Sequence, residues 1–104
     1  MNSKEKIKEI TDKVCTMLQE KNESYGDSAL EPINVFSKGS ATESLCARID
    51  DKLSRIRNKG INDETEDTLF DLIGYLTLLM IANVKEGYVY VRWTDVDLSN
   101  IKFN

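Results

Sequence analysis

The chain has 104 residues with one proline and five glycines, the size of a single domain and too little loop-forming composition for an irregular fold. It contains no histidine, which excludes Ser-His-Asp triads, Cys-His pairs and imidazole metal ligands, so any catalysis must rest on carboxylates, lysine, tyrosine or an oxygen-bound metal. A net charge of −4 and a pI near 4.8 set the surface against phosphate backbones, so no general nucleic-acid binding is expected.

With 40% hydrophobic and 31% charged residues, the composition predicts a folded, mostly helical chain. The segment Asn2 to Glu9 is too charged for a signal peptide, and Asp71 interrupts the longest apolar run, Leu69 to Ala82. No membrane partner is expected, and the expected location is the cytoplasm. Cys15 and Cys46 fall at apolar-periodic positions and are expected as reduced core thiols.

The pattern predicts an all-α domain over residues 1–104, with three helices at about 3–21, 41–58 and 63–83 in an antiparallel bundle. Ser3 is the expected cap of the first, whose apolar stripe is Ile7, Ile10, Val14, Met17 and Leu18. From Asn22 to Gly39 the period is lost, with a turn signal at Tyr25-Gly26-Asp27-Ser28. A connection this long is expected to cover or line something. Ser40-Ala41-Thr42-Glu43 is a capping box for the second helix, and Gly60 marks its end. Its apolar stripe is Leu45, Cys46, Ile49, Leu53 and Ile56. Arg48, Asp51, Lys52 and Arg55 recur beside it on one face.

Asn62 or Asp63 is the expected cap of the third helix, with Asp63, Glu64, Glu66 and Asp67 crowding its first turn. Its main apolar face is Leu69, Leu72, Ile73, Leu76, Leu79 and Met80, while Glu64, Asp67, Asp71 and Tyr75 line the opposite side with Gly74 and Leu78. Apolar on both sides, this is the central helix, and Gly74 would let one neighbour approach closely. Residues 84–104 form a C-terminal arm and tail, with Tyr88 to Trp93 reading as a short β-strand. The apolar sides of the third helix and this arm exceed what three helices cover, so a homodimer or larger homo-oligomer is expected.

Asp71 stands out because its carboxylate must lose solvent among apolar neighbours unless a cation meets it. Two kinds of cation qualify. Glu64, Asp67 and Asp71 at i, i+3 and i+7, with Asp51, offer oxygens to Mg²⁺, whereas Arg48 or Arg55 would make a buried ion pair. Arg48, Lys52 and Arg55 are candidate phosphate contacts, with Lys21 and the rings of Tyr25 and Tyr75 as further candidate ligand contacts. Trp93 and Tyr90 are expected in packing.

The stretches Lys21-x-x-x-Tyr25-Gly26-Asp27-Ser28, Arg48-Ile49-x-Asp51-Lys52-Leu53-x-Arg55-Ile56 and Glu66-Asp67-Thr68-Leu69-x-Asp71-Leu72-x-Gly74-Tyr75 resemble the nucleotide modification associated domain 1 family. The resemblance covers about residues 5 to 83 and implies a small all-α domain linked to nucleotides, commonly phage-encoded, which would place it in the host cytoplasm. Glu64-x-x-Asp67 is more distantly similar to the later acidic pair of the MazG-like nucleoside triphosphate pyrophosphohydrolases. That family's Glu-Glu-x-x-Glu on the preceding helix is replaced here by Arg48, Asp51, Lys52 and Arg55.

Three functions follow as expectations. The first is a Mg²⁺-dependent nucleotide pyrophosphohydrolase, with Asp67 and Asp71 as catalytic acids, Asp51, Glu64, Asp67 and Asp71 as metal ligands, and Lys21, Tyr25, Arg48, Lys52, Arg55 and Tyr75 on the substrate. The second is a binding protein that sequesters a nucleotide or nucleotide-derived messenger without turnover, as in phage counter-defence. The third is a structural helical module in which Asp71 only makes an ion pair.

Overall fold

The computed structural model describes residues 2–87 as three helices, α1 (Ser3–Ser24), α2 (Ala41–Lys59) and α3 (Thr68–Lys85), with no strand among the described residues. The all-α expectation holds. The expected strand at 88–93 and the tail beyond it lie outside the described residues.

The cap of α1 is Asn2 rather than Ser3: its Oδ1 accepts the N–H of Glu5 at 2.9 Å, and the helix runs three residues past the expected end. In α2 the Ser40 hydroxyl accepts the N–H of Glu43 at 3.1 Å, and Gly60 ends the helix at φ 82°. The Glu86 carboxylate, just past α3, accepts the Thr42 N–H at 3.2 Å. It thus supplies a charged acceptor to free donors at the start of α2.

α3 begins at Thr68, five residues later than expected. The Asp63 carboxylate instead accepts the N–H and hydroxyl of Thr65 at 2.9 and 2.6 Å, a local turn that competes with helix formation. Asp67 is the N-cap and makes no side-chain cap bond. Glu64 therefore lies in the connection, and Glu64, Asp67 and Asp71 do not share one helical face.

The central position of α3 also holds, since it packs on both α2 and α1. Its core with α2 consists of Ala41, Leu45, Leu78 and Ala82, with Leu18, Ala29, Leu30, Tyr75 and Leu79 packed around them. Contacts between α2 and α3 run in reverse order, from Thr42 with Glu86 to Arg48 with Tyr75 to Lys52 with Asp71. α1 packs over Gly74, which is buried; a Cβ there would stand 3.3 Å from Leu18 Cδ1.

Which faces pack differs from expectation. Of the six residues expected as the main apolar face of α3, Leu69, Ile73, Leu76 and Met80 are 42–50% exposed, while Leu72 and Leu79 are half-buried and Leu79 packs on the core; Leu53 of α2 is 52% exposed. Ile7, Ile10 and both cysteines are exposed as well, so neither thiol belongs to the core. Each cysteine is displaced by its neighbour: Val14 and Leu45 take the buried positions, about 100° around the helix.

The connection from α1 to α2 packs on the core at Ala29 and Leu30, while Ile33, Val35 and Phe36 further along it are exposed. Gly26 and Asp27 take left-handed φ values of 59° and 63° and reverse the chain. Lys85 of α3 then donates to the Leu30 carbonyl at 3.2 Å and the Glu31 carboxylate at 2.9 Å, holding Ala29 and Leu30 on the core.

Leu45, 1% exposed, is the largest fully buried side chain. Leu45→Ala is expected to cost about 2–5 kcal/mol in denaturant unfolding, the range for a buried leucine truncated to a cavity. A loss below about 1 kcal/mol would show that the α2–α3 contact is not the core of the fold.

Candidate functional site

α3 places Asp71 three residues past its start, where side chains from both other helices reach it. Lys21 of α1 donates to Oδ1 at 3.0 Å, and Lys52 of α2 meets Oδ2 at 3.1 Å. Lys52 also donates to Glu66 at 3.0 Å. Glu66 in turn faces Arg55 Nε at 3.1 Å, and the same Nε donates to Asp63 at 2.7 Å. Arg55 also donates through its terminal nitrogen to the Thr65 hydroxyl. The result is an alternating row of charges along the α2–α3 seam. Its inner members are well shielded, with the Asp71 and Lys52 side chains 15% and 16% exposed.

Burial works against the charge of Asp71, but the hydrogen bonds and charges of Lys21 and Lys52 outweigh it and hold the carboxyl below the ordinary aspartate range. Burial likewise disfavours charged Lys52, and Glu66 and Asp71 reverse that, raising its pKa above the ordinary lysine value. The Thr65 hydroxyl and N–H, with Arg55 contributing less, keep Asp63 ionised to lower pH than usual.

Beside this row lies an open groove of about 720 Å³ bounded by α1, α2, α3 and the turn after α1. Lys21, Tyr25, Arg48 and Tyr75 all line it, so four of the six residues expected on a substrate border one groove. The Arg48 guanidinium lies 6.0 Å from the Tyr75 ring centroid, within cation–π reach, and pairs with no carboxylate among the described residues. Lys21 spends one donor on Asp71 and retains two N–H groups. A smaller groove of about 340 Å³, lined by the 28–37 segment, adjoins the first at Ser28, Ala29 and Arg48.

The other two expected contacts, Lys52 and Arg55, are not in the groove and have their charges met by Glu66, Asp71 and Asp63. The expected metal ligands are not brought together. Asp51 is exposed on α2, Glu64 and Asp67 are exposed before α3, and Asp71 is held by ammonium groups. No cluster of three or more acidic or cysteine side chains that could hold a cation exists among the described residues. The donor set therefore does not fit Mg²⁺. The partner of Asp71 also differs from expectation, being two lysines rather than Arg48 or Arg55.

Some groove residues carry no signal in the sequence. Asn22 lines it with Oδ1 shielded from solvent and without a hydrogen-bond partner, and Glu20 adds one acidic group to the wall. Lys21, one residue from Asn22, was the nearest available pointer.

Asp71 has its lower pKa in the folded state, so its contribution to stability is present above about pH 4 and is lost as pH falls. Lys52 has its higher pKa in the folded state, so its contribution is present below about pH 10 and is lost as pH rises beyond it. Asp71→Asn is expected to cost about 1.5–3 kcal/mol at neutral pH and to flatten the loss of stability on acidification. Urea unfolding between about pH 2 and 7 checks this; an unchanged acid limb in Asp71→Asn would refute the linkage.

Comparison of the chain with protein-family models, with curated proteins and with solved structures returns no match, so the groove and its charges carry the functional reading.

Proposed function

We propose that this chain is an all-α protein of the cytoplasm that binds a nucleotide, or a small molecule derived from one, in the groove beneath Arg48, and holds it without cleaving it. The observation that carries this reading is the Arg48 guanidinium over the Tyr75 ring, paired with no carboxylate among the described residues, with Lys21 and Tyr25 lining the same groove. Two cations suit a phosphate, two aromatic rings suit a base, and a groove of about 720 Å³ has the volume of a small-molecule site.

Hydrolysis by a metal-activated water draws less support. Both oxygens of Asp71 are committed to lysines, and Glu64 and Asp67 stand outside the helix that was to align them. Asp71 reads better as the group that orients Lys21 at the edge of the groove. The same ion pair also suits a purely structural helical module, in which no nucleotide would bind.

A thermal-shift screen of ribo-, deoxyribo- and cyclic nucleotides, each with and without Mg²⁺, decides among these readings. At a hundredfold excess over its dissociation constant a ligand stabilises the fold by about 2.7 kcal/mol. Arg48→Ala is expected to weaken the best binder roughly 10–100-fold with little change in unbound stability, the value of one charge-assisted contact. Recovery of the ligand intact supports binding without turnover, whereas pyrophosphate release would restore the hydrolase. No shift with any nucleotide would leave the structural module.

A further inference from the structure

We propose that the smaller groove beside Arg48 is a second base subsite, so that the ligand of this chain is a dinucleotide: two nucleosides joined through phosphate, with the phosphate at Arg48. The inference rests on the nucleotide reading and adds to it the form of the ligand.

The two grooves meet. Ser28, Ala29 and Arg48 line both, so a molecule lying against Arg48 in one can continue into the other. Their chemistry differs. The larger carries Glu20 and Lys21 as well as Arg48, whereas Arg48 is the one charged side chain lining the smaller among the described residues. An anionic group therefore belongs at the shared border, where the guanidinium can offer a fork of donors. What extends beyond that border into the smaller groove must be uncharged, since no second cation waits there. At about 340 Å³ the space lies at the low end of small-molecule sites, room for one further ring system rather than a second complete ligand.

The walls of the smaller groove suit a base. Pro32, Ile33, Val35 and Phe36 of the connection and Leu45 of α2 supply apolar surface, and Ser28, Ser37 and Ser44 supply hydroxyls. A base matches both, with apolar faces and hydrogen-bonding edges; an alkyl chain would leave the hydroxyls unmet. Phe36 is 97% exposed, so nearly its whole ring is surface that a stacked base would cover. The segment is held in this form by its own bonding. Asn34 takes a left-handed φ of 53°, and the Lys38 ammonium donates to the Asn34 and Val35 carbonyls at 3.1 and 3.3 Å. Phe36 is thereby presented at the groove instead of being folded into the core.

The test is isothermal titration of the full chain with linear and cyclic dinucleotides, with the mononucleotides of the same bases, and with n-octyl phosphate, which carries an alkyl chain in place of a base. At least one dinucleotide is expected to bind roughly tenfold or more tighter than its mononucleotides, the gain from one added stacked base. Phe36→Ala should weaken that dinucleotide roughly 5–150-fold and leave the mononucleotides unchanged, with the helical circular dichroism intact. Phe36→Leu, which keeps apolar bulk but removes the ring, should weaken it as well, and Arg48→Ala should weaken both ligand classes. Mononucleotides that bind as tightly as every dinucleotide, or a dinucleotide indifferent to Phe36→Ala, overturn the second subsite and leave the mononucleotide reading standing. Octyl phosphate that matches the dinucleotide, with the same loss in Phe36→Ala, gives the groove to hydrocarbon and overturns the base. If neither nucleotide class binds, the nucleotide reading itself fails and takes this inference with it.

Discussion

The desolvated carboxylate of Asp71 is the constraint on which the other features depend. It stands in the most apolar stretch of the chain, where an unpaired charge would cost several kcal/mol and would either neutralise or unfold the helix. Its two oxygens are met from two directions, by Lys21 of α1 and Lys52 of α2. One residue on the central helix thereby fixes the register of both neighbours. Lys21, half in solvent, contributes little net energy, while the shielded pair of Asp71 and Lys52 is costly to break. The geometry matters more than the sum of the energies.

From that point the local structure propagates in both directions along α3. Towards its start, Lys52 hands charge to Glu66, and Arg55 gathers Glu66, Asp63 and Thr65. This bonding delays the helix to Thr68. Towards its end, one helical turn beyond Asp71 brings Tyr75 under Arg48, and the next turns bring Leu78 and Ala82 onto Leu45 and Ala41. The groove opens where α1 diverges from this line, with Lys21 at its edge. An acid that could have been a metal ligand instead keeps Lys21 in position at the edge of that space.

Much of this was legible in the sequence, because the signals concerned are local. Helical periodicity gave three helices, Ser40 and Gly60 gave the bounds of α2, and Gly74 marked the close approach of α1. The groove residues Lys21, Tyr25, Arg48 and Tyr75 stood out through residue type alone. Partner choice was not legible, since Asp71 has four cations within plausible reach and only the crossing of three helices selects Lys21 and Lys52. Nor was the start of α3, where Asp63 reads equally well as a helix cap or as the first residue of a turn, and Arg55, eight residues earlier, decides for the turn. Asn22 was invisible because nothing in its type or neighbours distinguishes it from a solvated helix residue.

The reversal of the expected apolar faces has the same root. A helix as apolar as α3 can bury either side, and the number of hydrophobic residues favours Leu69, Ile73, Leu76 and Met80. A carboxylate has no such freedom: once Asp71 is in the chain, the side that bears it must face the lysines, and Tyr75, Leu78 and Ala82 follow it inward by spacing. The purer apolar side is then left outward, not for want of affinity but because the charged side has the stricter requirement. The described fold therefore pairs the Asp71 carboxylate first and leaves Leu69, Ile73, Leu76 and Met80 partly in solvent, because hydrophobic burial is non-directional and yields to the stricter geometry of a desolvated charge.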